Sequence, residues 1–394
     1  MDALPPLFPL NAADYLGLGA ATLGLILAAG GGIGGGGILV PIYILVLGFP
    51  VKYAIPLASV TVLGGAIANN LLNVGKSHPV KPSKFLIDWD VVLQLEPMAM
   101  FGTLVGTALI DWIPDLLLLL LLVLVLGATA HTTLAKARKL YETENKVSDE
   151  HPGLLGAATS ANSYGGSDDV ESDTIDIPED PGTVRRHFIV SALQLTAFFV
   201  VVTLLIVLLA IDDDGELVFA SCGAACYWIG ECFLLALIFT FALWMRANLL
   251  WRVDEGESLS DIVWDDENTV RFPALATVAG VMAGLFGVGG GIVLGPLMLA
   301  LGLHPAVASA NTACMILYTS ATACVNFSVL GYLAHDYAAV CIVLGFAATV
   351  FGQSIMSLLL RKYKRNSYIA FSIGIVVALS AVLMSIESVV ALVT

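Results

Sequence analysis

Charge is what this sequence has least of. Lys, Arg, Asp and Glu together make up 12% of its 394 residues, whereas a soluble domain carries about a quarter. That scarcity excludes an ordinary soluble enzyme. Basic residues are the fewer, 17 against 32 acids, and no basic patch with interleaved aromatics occurs, which argues against a nucleic-acid partner. Cysteine is sparse too. Of the six, Cys222 and Cys226 lie beside an expected helix end and can pair where geometry and compartment allow. Cys232, Cys314, Cys324 and Cys341 are scattered in apolar helix, where cysteine packs as a small hydrophobe. No Ser/His/Asp or Cys/His set is legible and no His/Glu cluster has metal spacing, so the sequence implies no catalysis, metal or cofactor. The stretch Met1 to Tyr15 holds Asp2 and Asp14 but no Lys or Arg, and so lacks the basic n-region of a cleavable signal peptide.

Apolar sequence fills the chain instead, at 58% of residues and a mean hydropathy of +0.89. Runs such as Leu116–Leu126 and Ile189–Ala210 sit inside windows of about twenty apolar residues, the length that spans a bilayer core as helix. The fold class expected is all-α, a multi-pass integral membrane protein of the plasma membrane or an endomembrane. Of the 32 acids, 22 fall in three loops, at 142–180, 212–216 and 254–267. The net charge of −15 therefore describes solvated loops rather than a ligand preference. The organisation expected is a membrane unit at 15–134, an acidic disordered cytoplasmic loop at 135–187, two linking helices at 188–250, an acidic amphipathic loop at 251–272 and a second membrane unit at 273–393.

Two apolar segments are broken by glycine. The first runs Gly30-Gly31-Gly32-Ile33-Gly34-Gly35-Gly36-Gly37 and then Ile38 to Pro41. The second runs Gly287-Val288-Gly289-Gly290-Gly291 and then Ile292 to Pro296. One offset aligns Gly34, Gly35, Gly36, Leu39, Pro41 and Pro50 with Gly289, Gly290, Gly291, Leu294, Pro296 and Pro305. This pattern reads as an internal duplication. Cytoplasmic loops collect Lys and Arg, which tests how the breaks are threaded. If each broken segment crosses once, the 17 basic residues split about 12 to 5, with Arg361, Lys362, Lys364 and Arg365 on the wrong side. If each is a re-entrant hairpin of two half-helices, the split becomes about 16 to 1, with Lys52 alone outside. The hairpin reading makes the two units inverted repeats, an architecture with broken helices meeting at the midplane; a single long tilted helix is the alternative.

Consecutive glycines in a membrane segment cost helix stability and require a reason. The helices that follow them begin with unpaired N–H groups and a positive dipole end, a ready anion site that glycine lets an oxyanion approach closely. Gly34, Gly35, Gly36, Gly37, Gly289, Gly290 and Gly291 are therefore the first candidate binding residues. The competing reading is that these glycines only permit close helix packing. A dinucleotide fingerprint fails for want of a preceding strand and a following acid, and a P-loop for want of its Lys-Ser/Thr.

Polar residues inside apolar segments come next. Ser59, Thr61, Asn69, Asn70 and Asn73 follow the first break, and Ser309, Asn311, Thr312, Thr319, Ser320, Thr322 and Asn326 follow the second. Asn69, Asn70, Asn311 and Thr312 rank highest as donors to an anion, against the alternative of interhelical hydrogen bonding. Glu96 is the candidate for carrying a coupling proton. Glu231 sits near a helix end, Asp111 is expected at outer water, and His131 and His304 read as loop or packing residues.

With these motifs the chain resembles the sulfite exporter TauE/SafE family. The resemblance rests on Gly-x-Gly-Gly-Gly followed by an apolar stretch and proline, at Gly32–Pro50 and Gly287–Pro305; the long acidic insertion resembles the eukaryotic branch. It implies a secondary transporter of a small sulfur-containing oxyanion, sulfite or an organosulfonate, working by alternating access. The partners implied are that anion and membrane lipid, with a homo-oligomer compatible. An anion channel and a membrane scaffold acting through the acidic loop are the rivals.

Overall fold

The computed structural model describes residues 11–29, 36–150, 181–210, 224–255, 260, 262 and 264–363, with isolated positions between 375 and 388. The named helices among the described residues are α1 Ala12–Ala29, α2 Gly36–Leu45, α3 Val51–Asn73, α4 Trp89–Leu109, α5 Asp115–Glu150, α6 Pro181–Ala210, α7 Ala224–Asp254, α8 Asn268–Phe286, α9 Gly291–Ala300, α10 Pro305–Val329 and α11 His335–Tyr363. Eight stretches of helix among the described residues are long and apolar enough to cross a membrane. No strand occurs among the described residues, only an isolated bridge between Ser77 and Phe85. This is an all-α, multi-pass integral membrane protein. Backbone groups in hydrocarbon must be satisfied within the segment, which leaves helices as the spanning form here.

Helix α5 continues through Glu150 and α6 starts at Pro181, so both ends of the segment read as a loop at 135–187 are helical. The remainder, 151–180, lies outside the described residues. In the acidic amphipathic stretch at 251–272, the described central positions Ser260, Ile262 and Trp264 are non-helical. Trp264 is buried and Ser260 hydrogen-bonds Asp88, so this stretch is drawn onto the start of α4.

Side-chain contacts sort the helix ends into two groups. At one end the Tyr337 hydroxyl donates to Asp14 and its ring meets Phe49 at 5.0 Å between centroids. Lys52 pairs with Asp115 at 3.5 Å, Tyr53 stacks edge-on against Tyr332, and Tyr332 donates to Asp111. This end therefore gathers the start of α1, the end of α2, and the starts of α3, α5 and α11. At the other end Asn311 accepts from the Asp88 amide at 2.9 Å, the rings of His78 and His304 lie 6.3 Å apart, and Gln94 donates to the Thr269 carbonyl at 3.1 Å. Arg252 pairs with Asp90 there at 2.5 Å. This second end gathers the starts of α4, α8 and α10 and the end of α9. It also holds Lys76, Lys81, Lys84, Arg246, Arg252 and Arg271, whereas Lys52 sits at the first; the second end is the one that the positive-inside rule assigns to the cytoplasm.

Both glycine-broken segments thus return to the end they came from. Antiparallel packing within the first agrees: Gly17 faces Leu47, and Gly24 faces Ile38 and Ile42. The second folds back likewise, with Gly290 against Ala279 and Ala283. They are hairpins, and they enter the bundle from opposite ends. The single-crossing alternative is excluded because it would put the starts of α4 and α10 at opposite ends, whereas Asn311 near the start of α10 accepts the Asp88 amide at the start of α4.

Glycine also sets how closely the helices pack. A Cβ on Gly280 would lie 2.0 Å from the Ala99 carbonyl oxygen, and one on Gly102 would lie 2.1 Å from that of Thr277. Gly106 and Gly284 continue the same seam between α4 and α8. Gly64 and Gly345 do the same between α3 and α11, with carbonyl oxygens at 2.1 and 2.0 Å. Helices in lipid gain little from apolar burial against one another, so small residues that let backbones touch are what hold them. The side chains turned outward, such as Leu193, Val200, Leu204, Phe233, Leu243 and Phe351, are apolar and exposed, the surface a bilayer covers.

Two outcomes follow from this topology and packing. In a cysteine-depleted background, single cysteines placed at Lys76 and at Lys362 will react with an impermeant maleimide from the same side, and one at Trp112 only from the other; labelling of Lys76 and Lys362 from opposite sides would restore single crossings. Gly280→Val will lower thermal stability in detergent by about 1–3 kcal/mol or more, the cost of overpacking, whereas Gly127→Ala, which meets no atom within 4 Å, will not.

Candidate functional site

Helices α2 and α9 are ten residues each, so each spans about 15 Å, half of a hydrocarbon core about 30 Å thick. Their starts consequently lie near the membrane midplane. There the two breaks touch: a Cβ on Gly36 would fall 2.4 Å from the Val288 Cα and 2.8 Å from its carbonyl. No side chain fits between them. Gly36, Gly37 and Gly291 are buried.

The second break is built from left-handed backbone. Gly287, Gly289 and Gly290 have φ of 64°, 69° and 70°, conformations that cost an L side chain about 1–2 kcal/mol. Gly287 closes α8, its N–H donating to the Ala283 carbonyl at 2.9 Å. A Cβ on it would meet the Ile55 carbonyl oxygen at 2.4 Å and the Ser59 hydroxyl at 3.2 Å. Gly290 is the N-cap of α9 and no side chain caps that start. An uncapped start presents its first amides and the positive end of its dipole to whatever lies ahead.

Each predicted residue can now be placed. Gly36, Gly37, Gly289, Gly290 and Gly291 form the meeting point of the hairpins, and Gly34 and Gly35 lie outside the described residues. Asn69 accepts from the Gln353 side chain of α11 at 3.0 Å. Asn70 donates to the Ala66 carbonyl in its own helix and to that of Ala313 in α10, each at 2.9 Å. Asn311 accepts the Asp88 amide, while its Nδ2 and the Thr312 hydroxyl are buried with no hydrogen-bond partner. The hydrogen bonds of these polar residues therefore tie helices together near the cytoplasmic end rather than meeting the glycine backbone. Glu96 is fully buried in α4 and neither carboxyl oxygen has a partner.

The polar groups that do reach the glycine junction are Ser59 from α3 and Thr319 from α10, the latter contacting the Gly289 carbonyl at 3.5 Å. Both stand among the polar residues of the apolar segments, without a feature that ranks them above their neighbours. Farther along α2, Tyr43 shares a 2.7 Å hydrogen bond with Thr61 of α3; tyrosine in an otherwise apolar helix was the available signal. The sequence reading also missed the Gly102/Gly106 and Gly280/Gly284 pairs, although their four-residue spacing is visible, and the cluster of Asp90, Arg252 and His187. In that cluster both Arg252 and His187 reach one Asp90 oxygen, at 2.5 and 3.3 Å. At the outer end, burial and then the Asp111 carboxylate raise the Tyr332 phenol above its ordinary pKa, so this contact keeps its proton throughout the physiological range.

Chemically, the junction offers backbone N–H groups, two hydroxyls and the positive ends of two helices, set among apolar walls from Val62 and Ile316. That combination suits a small anion held without a fixed basic side chain. Gly36→Ala will force the hairpins apart and lower thermal stability by roughly 1–3 kcal/mol; Gly19→Ala, with no atom within 4 Å of its Cβ, will leave it unchanged or raise it, as measured by thermal unfolding of the purified protein.

Comparison with known proteins points to one family. The family model described as sulfite exporter TauE/SafE matches residues 16–167 and 182–384. Sulfite exporter TauE/SafE family protein 2 of Arabidopsis thaliana is 29% identical over 371 residues, covering 91% of this chain and 80% of that protein. Family protein 5 of the same plant is 28% identical over 383 residues, covering 92% of this chain and 80% of its own, and family protein 3 is 28% identical over 390 residues, covering 96% and 79%. No solved structure matches the chain. A family model that spans both hairpins and the helices around them shows that the chain belongs to the sulfite exporter TauE/SafE family.

Proposed function

We propose that the protein is a secondary transporter of a small sulfur-containing oxyanion, sulfite or an organosulfonate, and that the anion binds between the starts of α2 and α9. Membership of the family supports the coarser part, membrane transport of sulfur anions. The observation that carries the finer part is the contact of Gly36 with Val288. Two hairpins that enter from opposite ends and meet at the midplane leave a binding point reachable from either side in turn.

The helix pairing supports alternating access. α4 packs on α8 while α11 packs on α1, α3 packs on α11 while α10 packs on α4, and α3 and α10 pack on each other. If α1 to α4 correspond to α8 to α11, every one of these contacts has its exchanged counterpart. We read this as an inverted duplication, in which the two units rock about the shared junction. The anion would be held by backbone amides of the helix starts, with Ser59 and Thr319 adding hydroxyl donors, and released because no fixed cation balances it.

Counterflow of labelled sulfite in proteoliposomes, competed with sulfonates, sulfate and carboxylates, tests this reading. Saturable exchange inhibited by the sulfur oxyanions is expected. Thr319→Val keeps the side-chain shape and removes one donor to a charged ligand, so apparent affinity will fall by about tenfold or more, as such hydrogen bonds contribute about 1.5–3 kcal/mol. Conductive flux without counterflow would identify a channel. Normal function in protein lacking 143–183 with the glycines intact is expected; its loss would favour a scaffold acting through the acidic loop.

A further inference from the structure

Glu96 is a carboxyl group that the anion site does not use. It lies eight residues into α4 from the Asp88 N-cap, about 12 Å below the cytoplasmic end, with no exposed surface and no hydrogen bond to either oxygen. Every other acid on α4 is answered. Asp88 accepts the amides of Asp90 and Val91 and the Ser260 hydroxyl, and Asp90 is held by Arg252 and His187. An ionised carboxylate sealed in this way, with no donor and no counter-charge, is among the most costly groups a membrane interior can hold. The neutral acid, by contrast, can be accommodated.

The groups around it do not change that balance. Helices α6, α7, α8 and α10 pack against α4. From α10, Cys314 and Tyr318 are within electrostatic reach of Glu96, and the Tyr318 hydroxyl is already shared with Thr196 of α6 at 3.1 Å. From α7, Arg252 is bound to Asp90, and Arg246 to Asp266 and the Thr269 hydroxyl. From α6, His187 is also on Asp90, and Arg271 of α8 belongs to the first turn of that helix. Among the described residues, none of these cations pairs with Glu96. A proton is the one cation small enough to balance it in place.

The position of Glu96 relative to α10 gives that proton a consequence. Ile316 and Thr319 of α10 face the glycine break, where Gly289 lies. Cys314 and Tyr318, on the other side of the same helix, face Glu96. A movement of α10 that opens the junction to water on one side also changes the seal over Glu96. Resting on the transporter reading above, we propose that Glu96 is the proton-binding site of the protein and couples anion movement to a pH gradient through α10. The step is a simple one: the carboxylate takes a proton from bulk water when its seal is open, carries it as the neutral acid when the seal is closed, and returns it to water on the other side.

Two measurements test this separately. In reconstituted wild-type protein, infrared difference spectra across a pH titration will show a protonated-carboxyl C=O band that Glu96→Gln lacks; coincident spectra would overturn the proton site whatever the protein transports. In proteoliposomes holding labelled sulfite, with protein-free vesicles subtracted, an imposed pH gradient will drive accumulation of about tenfold per pH unit if one proton moves per anion. Glu96→Gln, a fixed neutral mimic, will keep counterflow and lose the gradient-driven accumulation. Accumulation that survives in Glu96→Gln, or wild-type exchange indifferent to the gradient, would overturn the coupling. Absence of any wild-type counterflow would instead remove the transporter reading, and the infrared band would still decide whether Glu96 binds a proton. Should Glu96→Gln fail to fold, the gradient response and the titrating band of the wild type remain decisive.

Discussion

Hydrocarbon offers the backbone no hydrogen-bond partners, so a helix can end inside a membrane only where other protein surrounds it. Two helices of this protein begin there, α2 at Gly36 and α9 at Gly291, and the remaining architecture follows from enclosing those starts. α3 and α10 lie against the breaks, with Ile55, Ser59 and Val62 from one and Ile316 and Thr319 from the other closing over the glycines. α4 and α8, and α3 and α11, then cross at glycine so closely that carbonyl oxygens occupy the space of missing side chains. Loosening those crossings would open the enclosure around the two helix starts.

The same constraint separates two kinds of glycine. Gly102, Gly106, Gly280 and Gly284 serve contact between continuous helices and sit at spaced positions. Gly287, Gly289 and Gly290 adopt positive φ and end one helix before another begins. Only the second kind leaves helix starts uncapped, and only the second kind creates an environment for an anion. The polar residues divide in parallel. Asn69, Asn70 and Asn326 are spent on contacts between helices, Asn326 donating to the Thr107 hydroxyl at 2.6 Å. Ser59 and Thr319 stand at the break.

Much of this was legible in the sequence. The apolar windows mark the spanning helices, and the distribution of 17 basic residues favours hairpins over single crossings because charge in short loops reports sidedness directly. The starts of α2 and α9 follow from the glycine runs, since consecutive glycines leave few alternatives to a break. The partners of Asn311 and Thr312 were not legible. Position along α10 gives depth only approximately, and it says nothing of which neighbour a side chain meets; Asn311 turned out to face the Asp88 amide.

By itself, then, the sequence determined that the chain is helical, multi-pass and interrupted twice by glycine. These properties depend on composition and on spacing along one strand of chain. Tertiary structure alone decided that Gly36 meets Val288, that Gly102 and Gly280 share one seam, that Arg252 answers Asp90 and that no group among the described residues answers Glu96. A membrane helix apolar all round has no polar stripe to show which face turns inward. Its rotation is set by the close approach of backbones from distant segments, and that information exists only once the helices are packed.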